Sequence, residues 1–287
     1  MATIAAVRRE ACTFDYERWN GRLAELAKSY RANRPFPHIH LESLLEPAAA
    51  LALAEEFPKA DSSAWIQYKH HNENKMGLPK RELFPARIRQ AVDELNSPEF
   101  VAWLSALTGI DGLVADDTLE GGGLHQSGRG GFLNVHADFT MHHHHKNWRR
   151  RINLILYLNQ NWRDEWGGAI ELWDREMKQC AAKVPPLLNH ALIFNTDEHS
   201  FHGFPDPLLC PEGVSRKSLA LYYYTPERDA GHRRSTNYRA RPSDGAVQSA
   251  LIWADKQAVH IYSRVKESLG LSDDFASRIL GFLSRKK

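Results

Sequence analysis

The chain has 287 residues, 43% hydrophobic and 25% charged, an ordinary globular composition with length enough to bury a sizeable core. Its 37 Lys and Arg nearly balance 35 Asp and Glu, which removes any bulk electrostatic pull toward nucleic acid, so no nucleic-acid partner is expected. Three widely spaced cysteines (Cys12, Cys180, Cys210), no signal-like N-terminus and no apolar run of about 18 residues exclude a disulfide framework, a zinc ribbon and a membrane span, and predict a reducing, cytoplasmic setting.

In chain order, Trp19, Leu23, Leu26 and Ala27 fall at helical spacing within 16–31, and 36–41 reads as a short strand. An alanine-rich helix entered through Pro47 covers 45–57. The mixed aromatic and polar stretch 65–75 fits no regular element and reads equally as a lid or a surface loop. Helix returns over 85–107, with Ile88, Ala91, Val92 and Leu95 on one face. After Gly109 the character changes to strands at 132–138, 151–158, 168–173, 191–194 and 219–224, broken by Gly, Asn, Asp and Pro. Residues 227–243, with Arg233, Arg234, Arg239 and Arg241, predict an extended loop, and 247–269 and 273–283 predict helices. Short strands without interleaved helices point to a sandwich or barrel. The organisation expected is a helical region 1–110 packed on a β core 111–226, followed by a C-terminal loop and helices 227–287, forming one continuous domain.

Side chains two apart on a strand share a face. His136 and Asp138 therefore project together from 132–138, which also predicts Phe132 and Asn134 inward and Leu133, Val135 and Ala137 outward. Arg216, Ser218, Ala220 and Tyr222 share one face of the last strong strand, against Leu219, Leu221 and Tyr223. Asn153, Ile155 and Tyr157 lie opposite Ile152, Leu154, Leu156 and Leu158. Three strands thus carry a more polar face for a cavity and an apolar face for packing. One imidazole and one carboxylate on a strand, closed by a distant His202, form the two-histidine, one-carboxylate face associated with non-haem Fe(II). His199 is a rival third ligand; the His202-Gly203 step and the shorter gap to Arg216 favour His202.

On these residues the chain resembles the prolyl 4-hydroxylase-like branch of the 2-oxoglutarate- and Fe(II)-dependent oxygenases, over roughly 115–226. The resemblance implies a mainly β core with flanking helices, a double-stranded β-helix (jelly roll, cupin-like). It implies His136, Asp138 and His202 as iron ligands, and Arg216 with Ser218 as the anchor for the distal carboxylate of 2-oxoglutarate. A guanidinium fork matches a carboxylate in two places. Tyr157 would add a hydroxyl to that carboxylate, and Gln126, by its position before the motif, would stand where relatives use a tyrosine. The gap from His202 to Arg216 is longer than the family's, filled by a loop around Pro205 and Pro207. Implied cofactors are Fe(II), 2-oxoglutarate and O₂, with ascorbate a candidate reductant. The implied reaction is dioxygenase hydroxylation of an unactivated C–H bond. Asp138 favours this over halogenation, because related halogenases lack the carboxylate. A prolyl or other residue of a peptide or protein is the first reading for substrate. A free amino acid or natural-product intermediate, or a catalytically inactive binding module on the same scaffold, are the alternatives; oligomeric state is left open. His142–His145 is expected as a solvated loop at the site mouth, with His142 or His144 able to touch substrate. Trp148-Arg149-Arg150-Arg151 is expected as a solvated strand entry, and Trp148, Trp162, Trp166 and Trp173 as packing residues.

Overall fold

The computed structural model describes residues 13–228 and 234–269; Cys12 and the helix expected at 273–283 lie outside them. Helix α1 (Tyr16–Ala32) opens where the Asp15 carboxylate accepts the Arg18 N–H, and it buries Trp19, Leu26, Ala27 and Tyr30. Strand β1 (His38–Leu41) follows, then α2 (Pro47–Glu55), with proline in its first turn where no N–H is needed. Helices α3 (Ala86–Leu95) and α4 (Pro98–Thr108) divide the stretch expected as one helical region. The break is chemical: Ser97 caps α4, and Pro98 cannot continue α3. Gly109, at φ 73°, ends α4 in the left-handed conformation that glycine adopts without strain.

The remaining elements are strands β2 (Ile66–His70), β3 (Glu73–Leu78), β4 (Val114–Ala115), β5 (Gly123–Ser127), β6 (Phe132–Ala137), β7 (Trp148–Tyr157), β8 (Ile170–Trp173), β9 (Cys180–Val184), β10 (Ala191–Asn195), β11 (His202–Phe204), β12 (Arg216–Pro226) and β13 (Asn237–Tyr238), and helix α5 (Ala246–Leu269). Pairing is antiparallel throughout, in the order β1-β10-β7-β12-β5-β3-β6-β11-β8-β9, with β13 on β6, β2 on β3 and β4 on β12. The ribbon folds over on itself: Tyr157, Leu192 and Phe194 from one layer pack on Ile170, Leu172 and Val184 from the other. That arrangement is the double-stranded β-helix, with its mouth between the layers.

The outward faces of β7 and β12 carry Ile152, Leu154, Leu156, Leu219, Leu221 and Tyr223 into one core with Trp19, Leu53, Ile88, Leu95, Phe100 and Leu104 of the helices. Each such side chain, fully buried, contributes roughly 1.5–3 kcal/mol, so the helices brace the layer whose other face lines the cavity. The stretch 65–75 is neither lid nor loop: β2 and β3 form a hairpin built into the sheet, with β3 bonded to both β5 and β6. The polar stretch after 226 is not wholly extended loop either, since Asn237 and Tyr238 pair with Ala137 and His136. Trp162, Trp166 and Trp173 pack in satellite cores, as expected. Among the described residues no helix is long and apolar enough to cross a membrane, and Cys180 and Cys210 are free thiols.

Candidate active site

His136 on β6 and His202 on β11 are direct cross-strand partners, with ring centroids 4.6 Å apart. Asp138 follows β6 and reaches both: its carboxylate oxygens lie 3.4 Å from His136 Nε2 and 3.5 Å from His202 Nε2. Within this trio one ligand atom from each residue lies within 4.8 Å of the others, a spacing that can hold a metal ion. Each imidazole uses its other nitrogen the same way: Nδ1 of His136 meets the Asn134 carbonyl and Nδ1 of His202 the Ser200 carbonyl, both at 2.9 Å. An Nδ1–H bonded to a backbone carbonyl leaves Nε2 as a lone pair aimed inward, the tautomer a metal needs. Burial lowers His202 to about 4, keeping it neutral near pH 7. Burial alone would raise Asp138, but the charge of Arg150 and its two histidine neighbours hold its carboxyl well below the usual range. Two imidazoles and one carboxylate converging on one point fit Fe(II), with one face left to other ligands. His199 is not part of it; it lies with Arg175 and Glu198 outside the trio.

Gly203 follows His202 for a spatial reason. A Cβ there would meet the Leu133 carbonyl at 2.7 Å and the Asn134 carbonyl at 2.9 Å. Those carbonyls crowd in because β6 is bulged: His202 pairs with His136, but Phe204 pairs with Leu133, three steps on one strand against two on the other. The bulge overturns the alternation expected for β6. Leu133 lines the cavity, and Asn134 turns away to donate to the His71 carbonyl and the Asn72 side chain at 3.3 and 3.1 Å. Phe132 does not line the cavity either, whereas Val135 and Ala137 pack outward on Trp173, Met177 and Phe201.

Arg216, Ser218, Ala220 and Tyr222 on β12, with Asn153 and Ile155 on β7, line a cavity of about 420 Å³ that also holds the trio. The Arg216 guanidinium is buried over the rings of Phe204 and Tyr157, at 4.2 and 4.8 Å. Its Nε donates to the Gly168 carbonyl at 2.7 Å and one terminal nitrogen to the Tyr157 hydroxyl at 3.2 Å. Among the described residues no carboxylate pairs with it, and burial lowers its pKa. A buried cation without a counter-ion, beside a tyrosine hydroxyl and a serine, suits an incoming carboxylate.

Gln126 is among the residues that line the cavity. Its amide donates to the Pro58 carbonyl at 3.4 Å and accepts from the Ser215 hydroxyl at 2.9 Å, on the face of β5 opposite His125. His125, cross-strand from Ser218 and Gly77, lines the cavity as well; burial lowers its pKa to about 3.

Several cavity residues escaped the sequence. Arg150, expected in solvent, is 1% exposed, and its Nη2 lies 3.2 Å from Asp138. A second bulge turns it inward: Tyr223 pairs with Ile152 but Tyr224 pairs with Arg150, so β7 gains a residue there. Glu73 and Lys75 of the hairpin line the cavity 3.0 Å apart, and Tyr238 sets its ring 5.5 Å from that of His136. The four-histidine run is not a uniformly solvated loop. His142 is buried, its Nδ1 accepting the N–H groups of His144 and His145 and its Nε2 lying 3.2 Å from Asp116. That pin places His143 and His144 in the cavity wall.

Residues 122–224 match the profile of the 2OG-Fe(II) oxygenase superfamily. Prolyl 3-hydroxylase OGFOD1 of Mus musculus is 29% identical over 143 residues, 47% of this chain; the chain spans only 23% of that relative's length. A prolyl hydroxylase of Trichoplax adhaerens, solved with a hypoxia inducible factor oxygen degradation domain peptide, shares the fold at a TM-score of 0.52 and 14% identity, over 73% of this chain and 93% of that one. A Pseudomonas putida prolyl-4-hydroxylase aligns at a TM-score of 0.48 and 17% identity, over 70% and 98% of the two chains. The matched segment contains His136, Asp138, His202, Arg216 and Tyr157, so the candidate site lies within the part of the chain that is similar to the 2OG-Fe(II) oxygenase superfamily.

Proposed function

We propose that this protein is a 2-oxoglutarate- and Fe(II)-dependent dioxygenase that hydroxylates an unactivated C–H bond, with a prolyl or other amino-acid residue of a peptide or protein as substrate. The observation that carries the reading is the shared cavity. It holds a two-histidine, one-carboxylate trio at one place and, at another, a buried arginine with no carboxylate partner among the described residues. His136, Asp138 and His202 would hold Fe(II), and Arg216, Tyr157 and Ser218 would hold the distal carboxylate of 2-oxoglutarate. Together the metal and cosubstrate, with O₂, supply oxidative decarboxylation to succinate and CO₂ and the oxidising power for attack on carbon.

The chain's own residues do the rest. The Nδ1 bonds of His136 and His202 fix their rings, Asn153 and Arg150 fix Asp138, and Gly168 fixes Arg216. Leu133, Ile155, Ile170 and Phe204 give the cavity its apolar wall and keep water from the space between the two binding groups. Glu73, Lys75, Tyr68, His143, His144 and Thr236 line the part left for substrate. The mouse prolyl 3-hydroxylase and the Trichoplax prolyl hydroxylase with its bound peptide favour a prolyl residue within a polypeptide. Free thiols at Cys180 and Cys210 suit a reducing, cytoplasmic setting.

The test is succinate release from Fe(II)-loaded protein across peptides, free amino acids and small natural products, preceded by anaerobic addition of 2-oxoglutarate. A weak visible charge-transfer band and peptide-dependent succinate are expected. A folded, iron-loaded protein without the band overturns the assignment and leaves a binding module on the same scaffold; release with a free amino acid alone moves the substrate to the small-molecule class.

A further inference from the structure

The residues that bear on Asp138 form a linked device. Its Oδ2 accepts a hydrogen bond from Asn153 Nδ2 at 2.8 Å and lies 3.2 Å from Arg150 Nη2. The two supports are themselves joined, because Arg150 Nε donates to Asn153 Oδ1 at 2.8 Å. Oδ1, 3.4 Å from His136 Nε2, takes no part in this triangle. The guanidinium is fully buried and seated in a corner of two rings, 3.4 Å from the centre of Tyr222 and 4.6 Å from that of Phe139. Tyr222 is fixed in turn by donating to the Gly121 carbonyl at 2.7 Å, and Phe139 stacks on His143 at 5.0 Å.

We propose that Arg150 and Asn153 are positioning residues that engage Oδ2 of Asp138 and so hold its carboxylate oriented toward the metal. The inference rests on His136, Asp138 and His202 being the ligand set. Three physical points support it. A carboxylate at the end of a strand, past the last ladder bond, has no backbone to orient it, and the Asn153 hydrogen bond together with the Arg150 charge beside the same oxygen supply that orientation. A buried anion needs a compensating charge when no metal is present, and Arg150 supplies one without occupying the metal's place. Finally, the cation is planar: the guanidinium sits over the Tyr222 ring while its Nε donates to Asn153 and its Nη2 lies beside Asp138, which an ammonium cannot do. The bulge between β7 and β12 is what brings Arg150 rather than Arg151 to this place.

The experiment titrates Co(II) anaerobically into metal-free protein and follows its visible absorption, which reads metal affinity without turnover. Wild type, Arg150→Met, Arg150→Lys, Asn153→Ala and a His136→Ala control are compared, with thermal melts of each metal-free protein. Arg150→Met and Asn153→Ala are expected to weaken Co(II) binding roughly 10–100-fold. Arg150→Lys should fall between Arg150→Met and wild type, because it keeps the charge and loses the fork. Affinity within twofold of wild type in folded Arg150→Met overturns the inference while leaving the ligand set intact; so does full recovery in Arg150→Lys, which would reduce the role to charge alone. Should Arg150→Met fail to fold, Asn153→Ala decides by the same twofold criterion. If instead wild type binds Co(II) no better than His136→Ala, the ligand set itself fails, and the inference with it.

Discussion

The two ends of the cavity are built by different kinds of strand. At the Arg216 end, β7 and β12 pair without interruption from Ser218–Tyr157 to Tyr223–Ile152, and side chains alternate strictly. At the Asp138 end, β6 is bulged against β11 and β7 is bulged against β12, so alternation fails on both strands that surround the carboxylate. A regular strand places a row of groups at fixed intervals, which suits the long contact of a small dicarboxylate. A bulge re-aims single side chains, which suits convergence of three ligands and their supports on one point.

The comparison can be broken most forcefully at the ligands. His136→Ala or Asp138→Ala is expected to cut succinate formation to below about one-thousandth of wild type, while circular dichroism shows the fold retained. Survival of substantial activity in either would move the metal away from the bulged end. Arg216→Ala should act differently. Loss of two charge-assisted hydrogen bonds, about 3 kcal/mol together, is expected to raise the 2-oxoglutarate requirement roughly 100-fold. The maximal rate at saturating cosubstrate should fall much less. An unchanged requirement would mean that another cation anchors the cosubstrate.

The same contrast explains how far the residues could be read from sequence. Period-two patterning placed Arg216, Ser218, Tyr157, Asn153 and Ile155 on the inner face and their neighbours against the helices. The structure puts Arg216, Ser218, Asn153 and Ile155 on the cavity face, Tyr157 between the layers beside Arg216, and the neighbours in the helical core. The patterning misplaced Phe132, Leu133 and Asn134, and Arg150 was read as solvated, because an inserted residue inverts the faces on one side of it and leaves no mark in composition. Glu73 and Lys75 were missed for another reason. Their hairpin is polar on its inner face and only half-buried outside, so it carries no hydrophobic alternation to announce a strand. One signal was available: Gly203 directly after His202 marks a close backbone approach, and such an approach in an antiparallel pair is what a bulge produces.

Gly168→Ala sharpens the regular end. Gly168 has φ +79°, and a Cβ there would meet Arg216 Cδ at 3.0 Å and Leu208 Cδ2 at 2.7 Å. Roughly 1–3 kcal/mol of strain is expected, relieved in part by displacing the guanidinium that the Gly168 carbonyl orients. The 2-oxoglutarate requirement should rise roughly 5–10-fold, a fraction of the Arg216→Ala effect, on the scale of that strain. A variant that melts lower with an unchanged requirement would show that Arg216 is held by Phe204 and Tyr157 alone.

The smallest expected effect lies on the hairpin side and depends on pH. His70 bridges Glu73 Oε1 at 2.8 Å and Asp255 Oδ2 of α5 at 2.7 Å, and so ties the C-terminal helix to the strand that carries Lys75 into the cavity. Burial would lower its pKa, but the two carboxylates outweigh burial and raise it above the ordinary 6.5. A histidine raised on folding binds its proton more tightly in the folded state. Its contribution is therefore complete below about pH 6.5 and is lost as pH climbs through the raised value. His70→Gln removes that term and little else, so its deficit against wild type, about 1 kcal/mol or roughly 2–4 °C in melting temperature, should appear at pH 6 and shrink by pH 9. A deficit of equal size at both pH values would show that the His70 ring stabilises by packing on Tyr238, 6.2 Å away, and that charge does not join helix to hairpin.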